Sequence, residues 1–321
     1  MKLWKRISSV SLALAMGASL FCTAPMTVNA EQAAVTYAVY SWDDQTKILS
    51  HTDKTVTDYI EVTAEYLNAN DYTLESSGSP GGKVFVVTKN LTLDKRLKIK
   101  KKTYVDLVIP NGVTLNARQG ISCSYGKSDG YASLRILGAG KIEASGKYEC
   151  ACIGGDSGQV NGPLEFHGPE IEANGNKGGA GIGGGKSKMD ADKTTYIKLF
   201  AGNITANGHK GGAGIGGGNN QIGARTDIYG GEVNGGGSEG GTGIGGGKDE
   251  GTRGIWIYGG SIETEGGFYG GAGIGTGSGA DMKGKIYIGG ENTFVDSSGG
   301  QRGAGIGAGN GDTGFLATEE T

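Results

Sequence analysis

Short segments in which apolar and polar residues alternate recur along the chain from residue 79 onward. In the segment Ile204–Gly208, two apolar residues alternate with Thr205 and Asn207 before the closing glycine. Apolar residues at every second position predict β-strands with one buried face, and a final Gly, Asn or Ser predicts a turn. No segment after the first thirty residues has the spacing of an amphipathic helix of useful length. The pattern therefore predicts an all-β protein.

The strands belong to a repeating unit of about thirty residues. Each unit contains two alternating segments and then a glycine-rich block around one isoleucine. The block isoleucines lie 29 to 33 residues apart, at Ile153, Ile182, Ile215, Ile244, Ile274 and Ile306. Three short strands per unit predict one coil of a parallel β-helix, in which each coil hydrogen-bonds to the next about 4.8 Å away. The isoleucines would then stack inside the helix.

The glycines that flank the block isoleucines need an explanation, because glycine is costly inside a strand. They recur on both sides of the isoleucine, at Gly181, Gly183, Gly214, Gly216, Gly243 and Gly245. One reading is a bend with positive φ at the corner of each coil, a conformation that glycine adopts without strain. The other reading is a bare face on which another surface can lie flat. The second reading would make this face a site for a protein partner.

The two ends of the chain differ from the repeats. Residues 1–30 carry a basic start, an apolar stretch and the small-residue site Val28-Asn29-Ala30, which together predict a signal peptide. We therefore expect a secreted or extracellular protein, with no transmembrane segment after removal of the signal. Residues 31–78 contain segments that suggest antiparallel strands, and the open end of a solenoid must be covered. We expect 31–78 to be a small N-terminal β cap subdomain and 79–321 the parallel β-helix, whose last coil a partner could cover.

Composition and charge narrow the choice of partners. The chain has 66 glycines but only 5 prolines, which excludes collagen. Its net charge is −3, and removal of the three cations of the signal lowers it to −6, so we expect no nucleic-acid partner. The one basic run spans residues 95–102, with Leu97 and Ile99 interrupting it at every second position. It is either the solvated face of a strand or a contact for an anionic polymer.

Three cysteines remain after the predicted signal, at Cys123, Cys150 and Cys152. Secretion would permit one structural disulfide, from Cys123 to either Cys150 or Cys152. The cysteines lack the four-ligand spacing of a zinc site, and the three histidines of the chain are too dispersed for a metal trio. We therefore expect no metal site and no cofactor.

One aromatic residue occupies the same place in the first strand of successive units. These residues are His167, Phe200, Tyr229, Tyr258 and Tyr287, spaced 33, 29, 29 and 29 residues apart, with Trp256 beside them. Rings at one-coil spacing that face outward would form a ladder roughly 19 Å long, enough for several sugar rings. The alternative is that the stacked rings only stabilise the sheet. We name all six residues as candidate ligand-binding residues.

Catalysis on a β-helix would require carboxylates on adjacent coils of one face, or a carboxylate cluster that holds Ca²⁺. Glu172 and Glu263 share one strand position but lie three coils apart, with Thr205 and Asn234 between them. The acidic residues do not otherwise line up in the repeats. We therefore name no catalytic residues and favour a non-catalytic protein over an enzyme.

From Gly82 onward the sequence resembles the Gly-rich right-handed β-helix regions of secreted and surface proteins from gut Firmicutes. The resemblance rests on residues 84–87, on 107–117, on Gly138-Ala139-Gly140 and on the Ala-Gly-Ile-Gly-Gly-Gly blocks. It implies a right-handed helix and a surface or carbohydrate-associated role. The leading hypothesis is a non-catalytic, adhesin-like protein that binds glycan or a cell surface. The alternatives are a polysaccharide lyase or glycoside hydrolase, and a purely structural spacer of a surface assembly.

Overall fold

The computed structural model describes residues 32–126, 130–188 and 195–311. These residues are almost entirely β, with parallel strands stacked as a solenoid of about 29 residues per coil. The predicted all-β parallel β-helix is therefore confirmed. The predicted signal peptide and the C-terminal tail from residue 312 lie outside the described residues.

The strands are numbered in chain order. Up to residue 100 they are β1 (Val35–Asp43), β2 (Ile48–Val56), β3 (Ile60–Glu61), β4 (Thr73–Leu74), β5 (Val84–Val86), β6 (Leu91–Leu93) and β7 (Leu97–Ile99), with the helix α1 (Ala64–Ala69) between β3 and β4. Up to residue 162 they are β8 (Tyr104–Val108), β9 (Thr114–Ala117), β10 (Ile121–Ser122), β11 (Ser124–Gly126), β12 (Gly130–Tyr131), β13 (Ser133–Leu137), β14 (Lys141–Ser145), β15 (Ile153–Gly154) and β16 (Val160–Asn161). The remaining strands are β17 (Leu164–Asn174), β18 (Ile182–Gly183), β19 (Tyr196–Asn207), β20 (Ile215–Gly216), β21 (Arg225–Ile228), β22 (Glu232–Gly236), β23 (Ile244–Gly245), β24 (Ile255–Ile257), β25 (Gly260–Glu265), β26 (Ile274–Gly275), β27 (Ile286–Ile288), β28 (Thr293–Ser298) and β29 (Ile306–Gly307).

Three parallel faces run the length of the solenoid. The first face contains β3, β5, β8, β13, β17, β19, β21, β24 and β27 in this order. The second face contains β6, β9, β14, β22, β25 and β28, together with the second halves of β17 and β19, which turn the corner between the two faces. The third face contains β4, β7, β10, β15, β18, β20, β23, β26 and β29. In the first coil, α1 occupies the place of a second-face strand.

The core consists of columns of apolar side chains that the strand register stacks one above another. On the first face, Leu107, Ile136, Phe166, Leu199, Ile228 and Ile257 are paired in succession and fully buried. On the third face, the predicted isoleucine ladder runs from Ile153 to Ile306. Each fully buried isoleucine contributes about 1.5–3 kcal/mol.

The glycines of the third face are buried, and they are needed for the conformation and close packing of the backbone. Gly183, Gly216 and Gly245 have φ of 133°, 133° and 138°, so the bend with positive φ is confirmed for the glycine after the isoleucine. The glycines before the isoleucine, Gly181, Gly214 and Gly243, do not have positive φ. A Cβ atom at Gly214 would lie 2.7 Å from the carbonyl oxygen of Gly243, so this glycine lets two coils approach closely. The bare-face reading does not apply to these buried residues.

The N-terminal region differs from the expectation. The strands β3 and β4 pair in parallel with β5 and β7, so the solenoid sheets begin at Ile60 rather than at residue 79. The helix α1 was not expected. Thr63 caps it by accepting a hydrogen bond from the amide of Tyr66 at 3.1 Å, and Leu67 is fully buried in the core. A helix of six residues is too short to give a periodic sequence signal.

Two antiparallel sheets stand apart from the solenoid sheets in the described part of the chain: the hairpin β1–β2 and the small sheet of β11, β12 and β16. The hairpin lies along the first face instead of covering the open end. Tyr37 of β1 packs against Val86, Val108 and Leu137, which belong to three successive coils. Further along β1, Trp42 contacts rings of the later coils. A nine-residue strand spans about 30 Å, which corresponds to about six coil spacings. The hairpin therefore runs across the coils.

Candidate functional site

The predicted aromatic column is present on the outside of the first face. The ring centroids of His167, Phe200, Tyr229, Tyr258 and Tyr287 follow one another at 4.5, 4.9, 5.4 and 5.4 Å. The first three contacts are stacked, with interplanar angles of 16°, 18° and 6°, and the last is tilted by 44°. Their neighbours Phe166, Leu199, Ile228 and Ile257 fill the core, which directs the rings outward.

Tyr287 does not occupy the strand position that its spacing predicts. The register pairs Tyr287 with Trp256, and its ring reaches the ring of Tyr258 diagonally. The guanidinium of Arg225 lies over the ring of Trp256, 4.2 Å from its centroid. Trp256 is therefore engaged with a cation beside the column rather than stacked in it.

The hairpin covers the first three rings of the column. His167, Phe200 and Tyr229 are only 2%, 7% and 9% exposed. The backbone amide of Tyr40 donates a hydrogen bond to Nδ1 of His167 at 3.1 Å. The indole of Trp42 lies 5.2 Å from the ring of Tyr229 and also contacts Tyr258. These contacts leave Tyr258 partly exposed and Tyr287 47% exposed, so the column emerges from the hairpin at its C-terminal end.

A cleft of about 670 Å³ opens where the column emerges. The hairpin tip forms one side with Trp42 and Lys47, and Tyr258 and Tyr287 lie across from it. Glycines at the ends of the first-face strands line the bottom and leave it open, while Glu291 and Asn292 add polar groups. Sequence reasoning missed Trp42 and Lys47, because nothing in the local pattern of the hairpin indicates where it docks.

Two contacts fix the hairpin side of the cleft. The indole nitrogen of Trp42 donates a hydrogen bond to Oδ1 of Asp44 at 3.1 Å, which orients the ring. The ammonium of Lys47 lies 5.9 Å from the centroid of Tyr258, within cation–π distance. The cleft thus combines aromatic faces with a few polar groups, the usual composition of a small-molecule site.

Two tyrosine hydroxyls at the cleft, those of Tyr229 and Tyr258, have raised pKa values. Burial, and then the charge of Asp227, raise the pKa of Tyr229 and of Tyr258. Asp227 is 1% exposed, and burial raises its pKa although Arg225 pairs with it at 2.9 Å. The tyrosine hydroxyls are therefore neutral at physiological pH and able to donate hydrogen bonds.

A second column, of alternating charge, runs beside the rings. The register places Asp106, Arg135, Glu165, Lys198 and Asp227 one above another on successive coils. Arg135 binds Asp106 through two hydrogen bonds of 2.7 and 2.5 Å. This column was not predicted from the sequence, although its members recur at the same strand position with a spacing close to that of the rings.

Glu165 joins the two columns. Its carboxylate accepts a hydrogen bond from the hydroxyl of Tyr196 at 2.9 Å and contacts Nε2 of His167 at 3.5 Å. Burial favours a higher pKa for Glu165, but the hydrogen bonds from His167 and Tyr196 outweigh it and lower the pKa below its usual value. The ionised carboxylate therefore holds both rings in place.

Carboxylates do line up on the second face, contrary to the expectation. Glu172 and Glu263 share one slot with Thr205 and Asn234 between them, as predicted. The same strand position is occupied by Glu143 on the coil before Glu172, and by Asp296 on the coil after Glu263. Lys141 contacts the first pair, with its ammonium 3.2 Å from Glu143 and 2.7 Å from Glu172. Glu263, Glu265 and Asp296 line a shallow groove of about 360 Å³.

The predicted disulfide is wrong. Cys123, Cys150 and Cys152 are free and buried. The backbone amide of Ile121 donates to the carbonyl of Cys152, which places Cys152 opposite Gly120, three residues from Cys123. Three strand residues span about 10 Å, too far for a bridge. The thiol of Cys123 instead lies 3.2 Å from the carbonyl oxygen of Ala132.

The basic run is largely neutralised within the molecule. In β7, Leu97 and Ile99 are buried while Lys98 is exposed, as the alternation predicted. Lys98 pairs with Asp71 at 2.7 Å, and Lys100 pairs with Glu75. Arg96 is buried and pairs with Asp156 at 2.7 Å. The run is thus mainly a solvated strand face with internal partners.

The described residues contain no group of three or more His, Cys, Asp or Glu side chains placed to hold a metal ion. In the same part of the chain, no helix has the length and apolar character to cross a membrane. Comparisons with protein-family models, with curated proteins and with solved structures found no match to this chain.

Proposed function

We propose that the protein is a secreted or surface-associated, non-catalytic glycan-binding protein whose site is the cleft between the hairpin and the end of the ring column. One observation carries this proposal: Tyr258 and Tyr287 remain accessible beside Trp42 where the column leaves the hairpin. The signal-like first thirty residues and the resemblance to surface proteins support the secreted location.

The chemistry of the cleft favours a sugar ring. The apolar C–H face of a sugar packs on an aromatic ring, and Tyr and Trp also offer polar groups at their edges. Lys47, Glu291 and Asn292 supply charged and amide groups for sugar hydroxyls. A volume of about 670 Å³ lies within the usual range of small-molecule sites and accommodates more than one sugar unit.

The covered rings have a supporting part in this proposal. His167, Phe200 and Tyr229 continue the stack beneath the hairpin and hold Tyr258 in position. A ring that is fixed before a ligand arrives loses little conformational entropy on binding. The six residues predicted from the sequence therefore divide into two accessible rings, three supporting rings and Trp256.

A glycan array probed with the purified protein and two single variants tests the proposal. Tyr287→Ala removes an accessible ring of the cleft, whereas Tyr269→Ala removes a tyrosine that is 60% exposed elsewhere. We expect Tyr287→Ala to weaken binding at least tenfold and Tyr269→Ala to leave it unchanged. Equal losses in the two variants, or no glycan bound by the unsubstituted protein, would reject the proposal.

The aligned carboxylates of the second face favour one alternative, a glycoside hydrolase or polysaccharide lyase. Glu263 and Asp296 occupy the same slot on adjacent coils, the arrangement that such chemistry requires. Release of reducing ends or unsaturated products by the purified protein, lost in Glu263→Gln, would establish this alternative. No release from a panel of polysaccharides would leave the binding proposal in place.

A further inference from the structure

A second concave site lies at the other end of the first-face strands. Tyr104 begins β8 and Tyr196 begins β19, and together with Tyr131 they line a groove of about 420 Å³. Tyr131 is 42% exposed. Pro80, Pro163 and Ser133 complete the walls, and Lys102 lies at the rim. We call this site the tyrosine groove.

The tyrosine rings of the groove are fixed by the column of alternating charge. The hydroxyl of Tyr196 donates to Glu165 at 2.9 Å, and the ammonium of Lys198 lies 4.9 Å from the ring centroid of Tyr196. The guanidinium of Arg135 lies 5.4 Å from the ring of Tyr104 and is itself locked on Asp106. Two rings of the groove are therefore held rigid from beneath, which is the condition for a stacking site of low entropic cost.

The charges around the groove leave a positive rim above a neutralised base. At the base, Arg135 is paired with Asp106, and Lys198 lies beside the ionised Glu165 on the next coil, so two cations face two carboxylates. At the rim, Lys102 is exposed, and its backbone amide donates to the carbonyl of Tyr131 at 2.8 Å. The side-chain stem of Lys102 packs beside Gly130. Lys102 thus places a cation next to the exposed ring of the groove.

We propose that the tyrosine groove binds a uronate unit of an acidic saccharide, with the sugar ring on the tyrosines and the carboxylate at Lys102. Aromatic faces select the apolar face of a sugar ring, and an ammonium at the rim complements a carboxylate. The tyrosine groove and the glycan cleft share no lining residue, and the inference does not rest on the cleft.

Calorimetric titration of the full chain with two matched probes tests this inference. The probes are hexagalacturonate and its fully methyl-esterified form, which has the same rings without the carboxylates. We expect the free acid to bind more tightly than the ester, and added salt to reduce this difference. Equal affinity for acid and ester would overturn the inference, as would the absence of binding of the acid.

Three variants locate the site. Lys102→Gln should weaken binding of the acid at least tenfold without changing the ester, and Tyr131→Ala should weaken both. Lys54→Gln, which removes an exposed lysine of β2, serves as the charge control and should change neither. Unchanged acid binding in Lys102→Gln and Tyr131→Ala would overturn the inference. Circular dichroism of each variant shows that it is folded.

Two further measurements distinguish this inference from the proposed glycan cleft and from a peptide ligand of the groove. Tyr287→Ala should leave hexagalacturonate binding intact, so a failure of the glycan cleft is distinguishable from a failure of the tyrosine groove. A proline-rich decapeptide tests the other ligand class that aromatic grooves accept. Binding of the peptide at the groove, with no binding of hexagalacturonate, would replace a saccharide ligand with a peptide.

Discussion

The indole ring of Trp42 lies 5.1 Å from the ring of Tyr258, tilted by 32°, although the two residues are far apart in the sequence. Trp42 also lies 5.2 Å from Tyr229, so one hairpin side chain contacts rings of two consecutive coils. This pair of contacts anchors the hairpin tip and defines one side of the proposed glycan cleft.

Replacement of Trp42 should loosen the hairpin without unfolding the solenoid. Each aromatic contact contributes about 0.5–1.5 kcal/mol, so Trp42→Ala should lower the free energy of unfolding by about 1–3 kcal/mol. Urea denaturation measures this loss, and Trp42→Phe, which keeps an aromatic ring, should lose less. A Trp42→Ala protein as stable as the unsubstituted one would show that the hairpin does not depend on these contacts.

The bend glycines of the third face should resist substitution. Gly216 has a φ of 133°, and a Cβ atom there would lie 1.9 Å from the carbonyl oxygen of Gly245. We expect Gly216→Ala to cost about 4 kcal/mol or more, because backbone strain and a backbone clash add together. Gly112 also has positive φ but open space around it, so Gly112→Ala should cost only about 1–2 kcal/mol. Similar losses in urea denaturation for both variants would contradict the account.

The three free cysteines predict a distinctive thiol titration. Burial raises the pKa of Cys152 to about 12, and burial likewise raises the pKa of Cys123. A high thiol pKa and lack of access both slow reaction with a thiol reagent. The folded protein without residues 1–30 should therefore react slowly, and the denatured protein should release three thiols without added reductant. If only one thiol reacted in the denatured protein, two of the cysteines would form a disulfide after all.

Stability should depend on pH through Glu165. Its pKa in the folded protein lies below the usual 4.5, so its ionised form stabilises the fold. That stabilisation is fully present above about pH 4.5 and is lost as the pH falls through the lower folded value. Glu165→Gln should therefore be less stable than the parent protein near pH 7, and the difference should shrink below pH 4.5. Urea denaturation at several pH values measures this difference in the free energy of unfolding. Glu265→Gln, which replaces an exposed carboxylate, is the control, and its difference from the parent protein should not change in this way with pH.

The repeat and its core were predictable because short stretches of the sequence determine them. The alternation around Ile204 and the spacing of the block isoleucines define strands and coils without knowledge of distant contacts. The docking of the hairpin was not predictable, since Trp42 contacts Tyr258 through tertiary packing alone.

Register explains the remaining differences between sequence and structure. The register pairs Tyr287 with Trp256, and two alternative alignments of one short strand look alike in the sequence. Glu143 and Asp296 were overlooked for the same reason, because the slots of the second face become visible only when every strand is paired.

The position of the hairpin also has a consequence for the order of folding. In a solenoid whose coils contact only their neighbours, coils can form one after another. The hairpin instead contacts coils from Val86 to Tyr258, and it therefore joins repeats that do not otherwise touch. The hairpin precedes the coils in the sequence and is synthesised before them, but its complete docking surface exists only after Tyr258 has been added. A segment made before the coils is thus among the last to dock, and its docking links the early and late coils in one cooperative unit.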